Sequence, residues 1–140
     1  PLRLVGSEMC IRDRVGYILC SKDYQAYQAR FRKSYLPLIQ ARSILRAALA
    51  RMDLRIAGRY AGQYPAHMHI DILDAYQRMG IGHQLVNTLT ASLAGQTTRG
   101  LMLSVGSTNK KGVNFYKKYG FQRIGTAAFG SIVVMGLRLS

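Results

Sequence analysis

The chain has 140 residues, 49% of them hydrophobic, with nine Tyr and four Phe, enough apolar material to bury the core of one domain. That composition excludes a disordered basic tail, and no apolar run reaches the roughly 18 residues that a membrane-spanning helix needs. Twenty Lys and Arg against six Asp and Glu give a formal charge of +14, a surface that attracts polyanions such as nucleic acid, an anionic membrane face or a phosphate-bearing cofactor.

In chain order, the first segment is anomalous. Residues 4–14, LVGSEMCIRDR, show neither strand alternation nor a helical stripe. In one reading frame, the adapter DNA of transposase-made sequencing libraries translates to residues 4–13. Residues 1–14 are therefore read as an adapter-derived leader on a metagenomic fragment and set aside from fold reasoning. Glu8 and Asp13 go with it, leaving Asp23, Asp53, Asp71 and Asp74 as the acids. Cys10 goes too, so Cys20 stands alone as a buried thiol and no disulfide framework is expected. The leader has no hydrophobic signal core, which makes the cytoplasm the expected compartment.

Residues 15–20, VGYILC, are an apolar run of strand formers, followed by Ser21 and Asp23, either able to cap a helix. The predicted helix carries Tyr24, Tyr27, Phe31, Tyr35 and Leu38 at helical spacing, and Pro37 is expected to end or kink it. Leu45, Ala48, Leu49, Met52 and Ile56 mark the apolar face of a second helix before turn residues near Gly58 and Gly62. Both stripes read as ordinary packing faces rather than membrane-surface or calmodulin-target helices.

From Tyr64 the pattern becomes strand, glycine turn, helix, strand, helix, strand. Residues 67–73 alternate, with Met68, Ile70 and Ile72 on one face and His67, His69 and Asp71 on the other. Ile81, Leu85, Leu89 and Leu93 predict a helix reaching about Gly95, and residues 101–105, LMLSV, a buried strand. Residues 113–119 read as a short helix ended by Gly120. Residues 121–124 and 132–139 close the chain as two strands around a turn between Gly125 and Gly130.

Between the first of these strands and its helix lies Gln77-Arg78-Met79-Gly80-Ile81-Gly82. A glycine turn that opens directly into a helix presents consecutive N–H groups and the positive end of the helix dipole, which suits a diphosphate. Two glycines in such a turn also occur for structural reasons alone, so the hexapeptide needs company.

It has company. The chain resembles the GNAT family of acetyl-CoA-dependent N-acetyltransferases, whose pyrophosphate loop reads Gln/Arg-x-x-Gly-x-Gly/Ala, matched by Gln77, Gly80 and Gly82. About thirty residues later that family carries an Asn, then Phe-Tyr, then Gly-Phe, matched by Asn109, Phe115-Tyr116 and Gly120-Phe121. The stretch YPAHMHIDIL is similar to the acetyltransferase-like domain attached to some O-GlcNAc hydrolases. Two departures stand out: Asp74 replaces the usual Pro after the strand, and Gly112 a common Ala.

The resemblance implies an α/β fold with a mixed central sheet flanked by helices, one domain over residues 15–140 with its acetyl-CoA-binding core at 64–139. The family's opening strand and two helices, one wall of the acceptor cleft, are expected to be cut away, making the domain N-terminally truncated. It further implies acetyl transfer from acetyl-CoA to an amine of a small molecule or protein, with CoA as product. Cofactor contacts are expected from Ile72, Leu73, Gln77, Arg78, Met79, Gly80, Ile81, Gly82, His83, Asn109 and Tyr116.

An amine at neutral pH must lose a proton before it attacks, and the leaving thiolate needs a donor. Tyr116 is the candidate acid by motif match. Asp71 is the candidate base, with His69 beside it, because both lie on the polar face of the strand that would carry the reacting carbonyl. Three ligands strung along one strand, His67, His69 and Asp71, span more than one ion prefers, so no metal is expected. A nucleic-acid module would explain the charge and leave both motifs unexplained, so no specific nucleic acid and no membrane partner are expected. An acetyl-CoA-binding pseudoenzyme keeps the loop without turnover, and a homodimer is open to either form.

Overall fold

The structure is a computed structural model that describes residues 3–5 and 15–139. Six strands form one mixed sheet in the order β1-β2-β3-β4-β6-β5. They are β1 (Arg3–Val5), β2 (Gly16–Ser21), β3 (Ala66–Ile72), β4 (Gly100–Gly106), β5 (Gln122–Ala127) and β6 (Ile132–Arg138). All neighbours are antiparallel except β3 and β4, which run parallel and are joined through a crossover helix. Part of the leader thus contributes an edge strand: Leu4 lies opposite Leu19. An edge offers unpaired backbone groups to any extended chain, so this pairing requires no particular side chains. Residues 6–14 lie outside the described residues.

Three helices, α1 (Tyr24–Ser34), α2 (Leu36–Arg42) and α3 (Ile44–Gly58), lie between β2 and β3. Asp23 caps α1 by accepting from the Ala26 N–H, and the Tyr24 N–H donates to the Pro65 carbonyl at 2.8 Å, tying the start of α1 to the entry of β3. Pro37 marks the expected break, since α1 ends at Ser34 and α2 begins at Leu36. It occupies the first turn of α2, where its missing N–H would have no partner anyway. The expected face of the next helix is rotated. Ala47, Leu54 and Ala57 are buried on α3, whereas Leu45 and Leu49 are 70% and 46% exposed. The charged residues of α3, Arg46, Arg51, Asp53 and Arg55, are spread around the helix, so periodicity alone could not select the side that meets the sheet.

The remaining elements fall close to where the sequence places them, except that β5 runs on to Ala127, into the expected turn. Helix α4 (Ile81–Ala94) buries Leu85, Val86, Leu89 and Leu93 against one face of the sheet, where Met68, Leu101, Leu103 and Met135 complete the main core. Helix α5 (Lys110–Tyr119) starts three residues earlier than expected because Asn109 caps it, and it ends at Gly120 with φ 122°. On the opposite face Tyr24, Leu54, Ala57, Ala61, Tyr64 and Met102 form a second cluster under α1 and α3. Among the described residues no helix is long and apolar enough to cross a membrane.

Candidate active site

The site begins with the parity of β3. The Leu73 N–H donates to the Val15 carbonyl at 2.9 Å, just beyond the register pair Gly16↔Ile72. In an antiparallel ladder the residues that exchange hydrogen bonds alternate, so Asp71, His69 and His67 also turn their backbone groups toward β2. Met68, Ile70 and Ile72 therefore turn theirs the other way, toward β4. Yet β3 and β4 pair only at Ala66↔Leu101 and His67↔Met102, after which they diverge. The N–H and C=O of Ile70 and the N–H of Ile72 thus line an open wedge between two parallel strands.

The loop after β3 closes on that wedge. The Gln77 amide donates to the Ile72 carbonyl and to the Asp74 carboxylate, both at 3.0 Å, so Gln77 latches the loop to the strand end. Arg78 takes φ 63° and Gly80 φ 82°, and the chain then enters α4 without any side-chain cap. Gly80 has open space where a Cβ would stand. The first-turn amides of Ile81, Gly82 and His83 have no intrahelical partner, and no acidic side chain competes for them. Met79 is 66% exposed beside them. This is a cradle for an anion with room for close approach.

Three of the residues expected at the cofactor, Leu73, Gly82 and Asn109, also carry structural duties. Leu73 has both backbone groups engaged, its N–H with Val15 and its carbonyl with the Tyr76 N–H at 2.8 Å, so only its exposed side chain is free. Gly82 faces inward. A Cβ there would lie 3.1 Å from Phe115 and 3.3 Å from Ile72, so its small size serves helix packing. Asn109 accepts from the Gly112 N–H at 3.0 Å, and a Cβ at Gly112 would press on the Asn109 amide. Gly112 thus makes room for the cap, and Asn109 keeps only its NH2 for another partner.

Tyr116 lies in the main core, its ring edge-on to Phe115 at 5.3 Å and to Phe121 at 5.7 Å. Burial pushes its hydroxyl up to about 12, so it stays protonated throughout the physiological range.

His69 and Asp71 are both exposed, on the sheet face opposite α4. The His69 ring is 6.3 Å from that of Tyr17 on β2. Among the described residues no group of three His, Cys, Asp or Glu side chains is arranged to hold a metal.

That same sheet face carries a cavity of about 250 Å³ that the sequence did not disclose. Its floor is His67 and Ser104, one on each side of the point where β3 and β4 part, and its walls are Tyr24, Tyr27, Phe31 and Asp53 from α1 and α3. Burial, with His69 nearby, pushes the His67 imidazole down to about 4, so it is neutral at pH 7. Desolvation raises the Asp53 carboxyl above its ordinary range. A signal was available: Asp53 is the only acid between residues 24 and 70, and it follows an aromatic stripe read solely as packing.

A mixed sheet split between two parallel strands, with an uncapped glycine turn at the open end, defines the class of this domain as a mixed α/β fold flanked by helices. The family model described as "Acetyltransferase (GNAT) domain" matches residues 44–123, more than half of the sequence, and the chain belongs to that family. The crystal structure of SsHAT is 29% identical with a TM-score of 0.74, over 90% of this chain and 67% of that one. PH1933 from Pyrococcus horikoshii OT3 is 22% identical with a TM-score of 0.61, over 93% of this chain and 61% of that one. An N-acetyltransferase from Staphylococcus aureus Mu50 shares the fold at 12% identity and a TM-score of 0.57, over 90% of this chain and 61% of that one. The chain thus spans about three-fifths to two-thirds of these structures.

Proposed function

We propose that this domain transfers an acetyl group from acetyl-CoA to an amine. The observation that carries the reading is the continuity of the wedge with the uncapped start of α4. Unpaired groups of Ile70 and Ile72 lead into the free amides of residues 81–83, a hydrogen-bonding track for an amide-bearing arm that ends in a diphosphate. Bound there, acetyl-CoA supplies an activated thioester.

The chain's own residues then divide the work. The unpaired backbone groups of Ile70 and Ile72 hold the arm, and those nearest the apex of the wedge polarise the thioester carbonyl, an oxyanion-type contribution. Gln77 fixes the loop, and the backbone from Arg78 to His83 meets the phosphates. The Asn109 NH2 is free to donate across the mouth of α5. Tyr116 stabilises negative charge on the leaving sulfur by a hydrogen bond, because full transfer from a hydroxyl near 12 to a thiolate with a reference pKa of about 8.5 is uphill. Asp71 or His69 takes the proton of the amine. Both are exposed on the sheet face that carries the cavity, so the proton passes to either directly or through a chain of waters.

The test is calorimetric binding of CoA and acetyl-CoA, followed by thiol release with an amine panel. At a hundred times its dissociation constant the ligand stabilises the fold by about 2.7 kcal/mol. Absence of binding by both would contradict the reading. Binding without thiol release over a broad panel would restrict the domain to cofactor binding. Residues 1–14 remain, on this proposal, translated adapter, and deleting them is expected to leave the melting temperature within about 2 °C. A larger loss would mark the leader as part of the native fold.

A further inference from the structure

The protein carries twenty Lys and Arg, yet among the described residues none of them lines the cavity on the outer face of the sheet, and the one carboxylate in its described lining is Asp53. Three aromatic rings, Tyr24, Tyr27 and Phe31, form the adjoining wall, with Tyr24 and Tyr27 5.7 Å apart and Tyr27 and Phe31 5.9 Å apart. A run of ring faces beside one carboxylate attracts a cation twice over, through the ring quadrupoles and through the opposite charge. The other polar lining groups carry no positive charge at pH 7, and Arg32, whose charge reaches Tyr24, stands outside the lining. His67 packs against Tyr24 at 5.4 Å and stays neutral at pH 7, and Ser104 is uncharged. Partial desolvation of Asp53 favours the same occupant, since a carboxylate drawn out of water gains from a cation beside it.

Resting on the proposed acetyl transfer, we infer that this cavity seats the acceptor, and that the acceptor is a primary alkylammonium group at the end of an unbranched chain. The volume, about 250 Å³, corresponds to roughly eight waters of bulk liquid, enough for one unbranched side chain. It falls below the roughly 300 Å³ at which pockets begin to enclose a whole small molecule. The floor at His67 and Ser104 lies where β3 and β4 begin to part, so an amine seated there adjoins the wedge. The helices α1 and α3 supply a wall over this sheet face, lying between β2 and β3 in the chain.

The test titrates n-butylammonium, with 1-butanol and butyrate as neutral and anionic matches, while NMR follows the rings of Tyr24, Tyr27 and His67. Butylammonium should shift all three saturably and the other two compounds should not. Asp53→Asn should weaken that binding about five- to tenfold, with the thermal shift given by CoA unchanged. Asp53 is exposed, so the amide should fold; Tyr27→Leu, which removes one ring, is a second variant expected to weaken binding in the same direction. Equal response to butanol and butylammonium, or unaltered affinity in both variants, would overturn the inference. If CoA binds and butylammonium does not, the acetyl-CoA reading stands and the acceptor assignment falls. If butylammonium saturates the cavity and CoA fails to bind, the cation site stands and the transferase reading falls.

Discussion

Gly16 stands opposite Ile72 across β2 and β3, and a Cβ on Gly16 would lie 2.9 Å from the Asp71 carbonyl oxygen and 3.0 Å from the Ile72 side chain. This close approach holds the strand end that presents the Ile72 N–H to the wedge. Because side chains and backbone groups alternate along a strand, a slip of one residue would turn His69 and Asp71 into the core and close Ile70 and Ile72 against β2.

Gly16→Ala is therefore expected to cost about 1–3 kcal/mol and to weaken CoA binding, because the obstructing atom is backbone and cannot simply rotate away. Denaturant melts together with calorimetry measure both effects. A neutral substitution would mean that the strand pair is looser than described.

The two loop glycines should separate by mechanism. Gly80→Ala meets no atom but demands a left-handed residue, a cost of about 1–2 kcal/mol, and it brings a methyl group to the anion cradle. Gly82→Ala instead crowds Phe115 and Ile72 in the packed interior, so its principal effect should be on stability. Comparing the melting temperature and CoA affinity of each variant checks this. A larger affinity loss at Gly82 than at Gly80 would reverse the assignment.

His67 makes stability depend on pH. Its imidazole is held near 4 in the fold against an ordinary value of 6.5, so between those values the unfolded chain binds the extra proton. Stability is then full above about 6.5 and falls as the pH drops toward 4, by at most about 3 kcal/mol. In urea melts across this window, His67→Gln should flatten the dependence. An unchanged slope would assign it to the carboxylates.

Much of this was legible before the fold was known, and the reasons differ by element. The alternation of residues 67–73 and the spacing of Leu85, Leu89 and Leu93 report burial directly, since one period fits each. Helix α3 resisted because its charged residues, Arg46, Arg51, Asp53 and Arg55, are spread around it, whereas Pro37 marked a break because a proline that ends one helix serves equally well to begin another. The roles of Asn109, Gly82 and Gln77 could be placed in a motif but not told apart, since capping, packing and latching depend on neighbours remote in sequence. The cavity was invisible for the same reason: Asp53, His67 and Ser104 meet only in three dimensions.

Tyr116→Phe removes one hydroxyl and keeps the ring contacts with Phe115 and Phe121. Turnover should fall roughly tenfold to a hundredfold with CoA affinity nearly unchanged, because the lost hydrogen bond acts on charge that develops in the transition state. Steady-state kinetics beside calorimetry measure both quantities. Equal kcat in the two proteins would remove Tyr116 from the chemistry.

The most direct measurement is an amide-resolved NMR titration with CoA. Binding along the wedge and at the start of α4 should shift the N–H signals of Ile70, Ile72, Ile81, Gly82 and His83. The amide of Leu73, already bonded to Val15, should move less than that of its neighbour Ile72. Saturable shifts confined to these strand and loop amides are the expected result. No shifts, or shifts spread over the basic surface and abolished by moderate salt, would contradict an acetyl-CoA site and point to nonspecific attraction of a polyanion by a +14 chain.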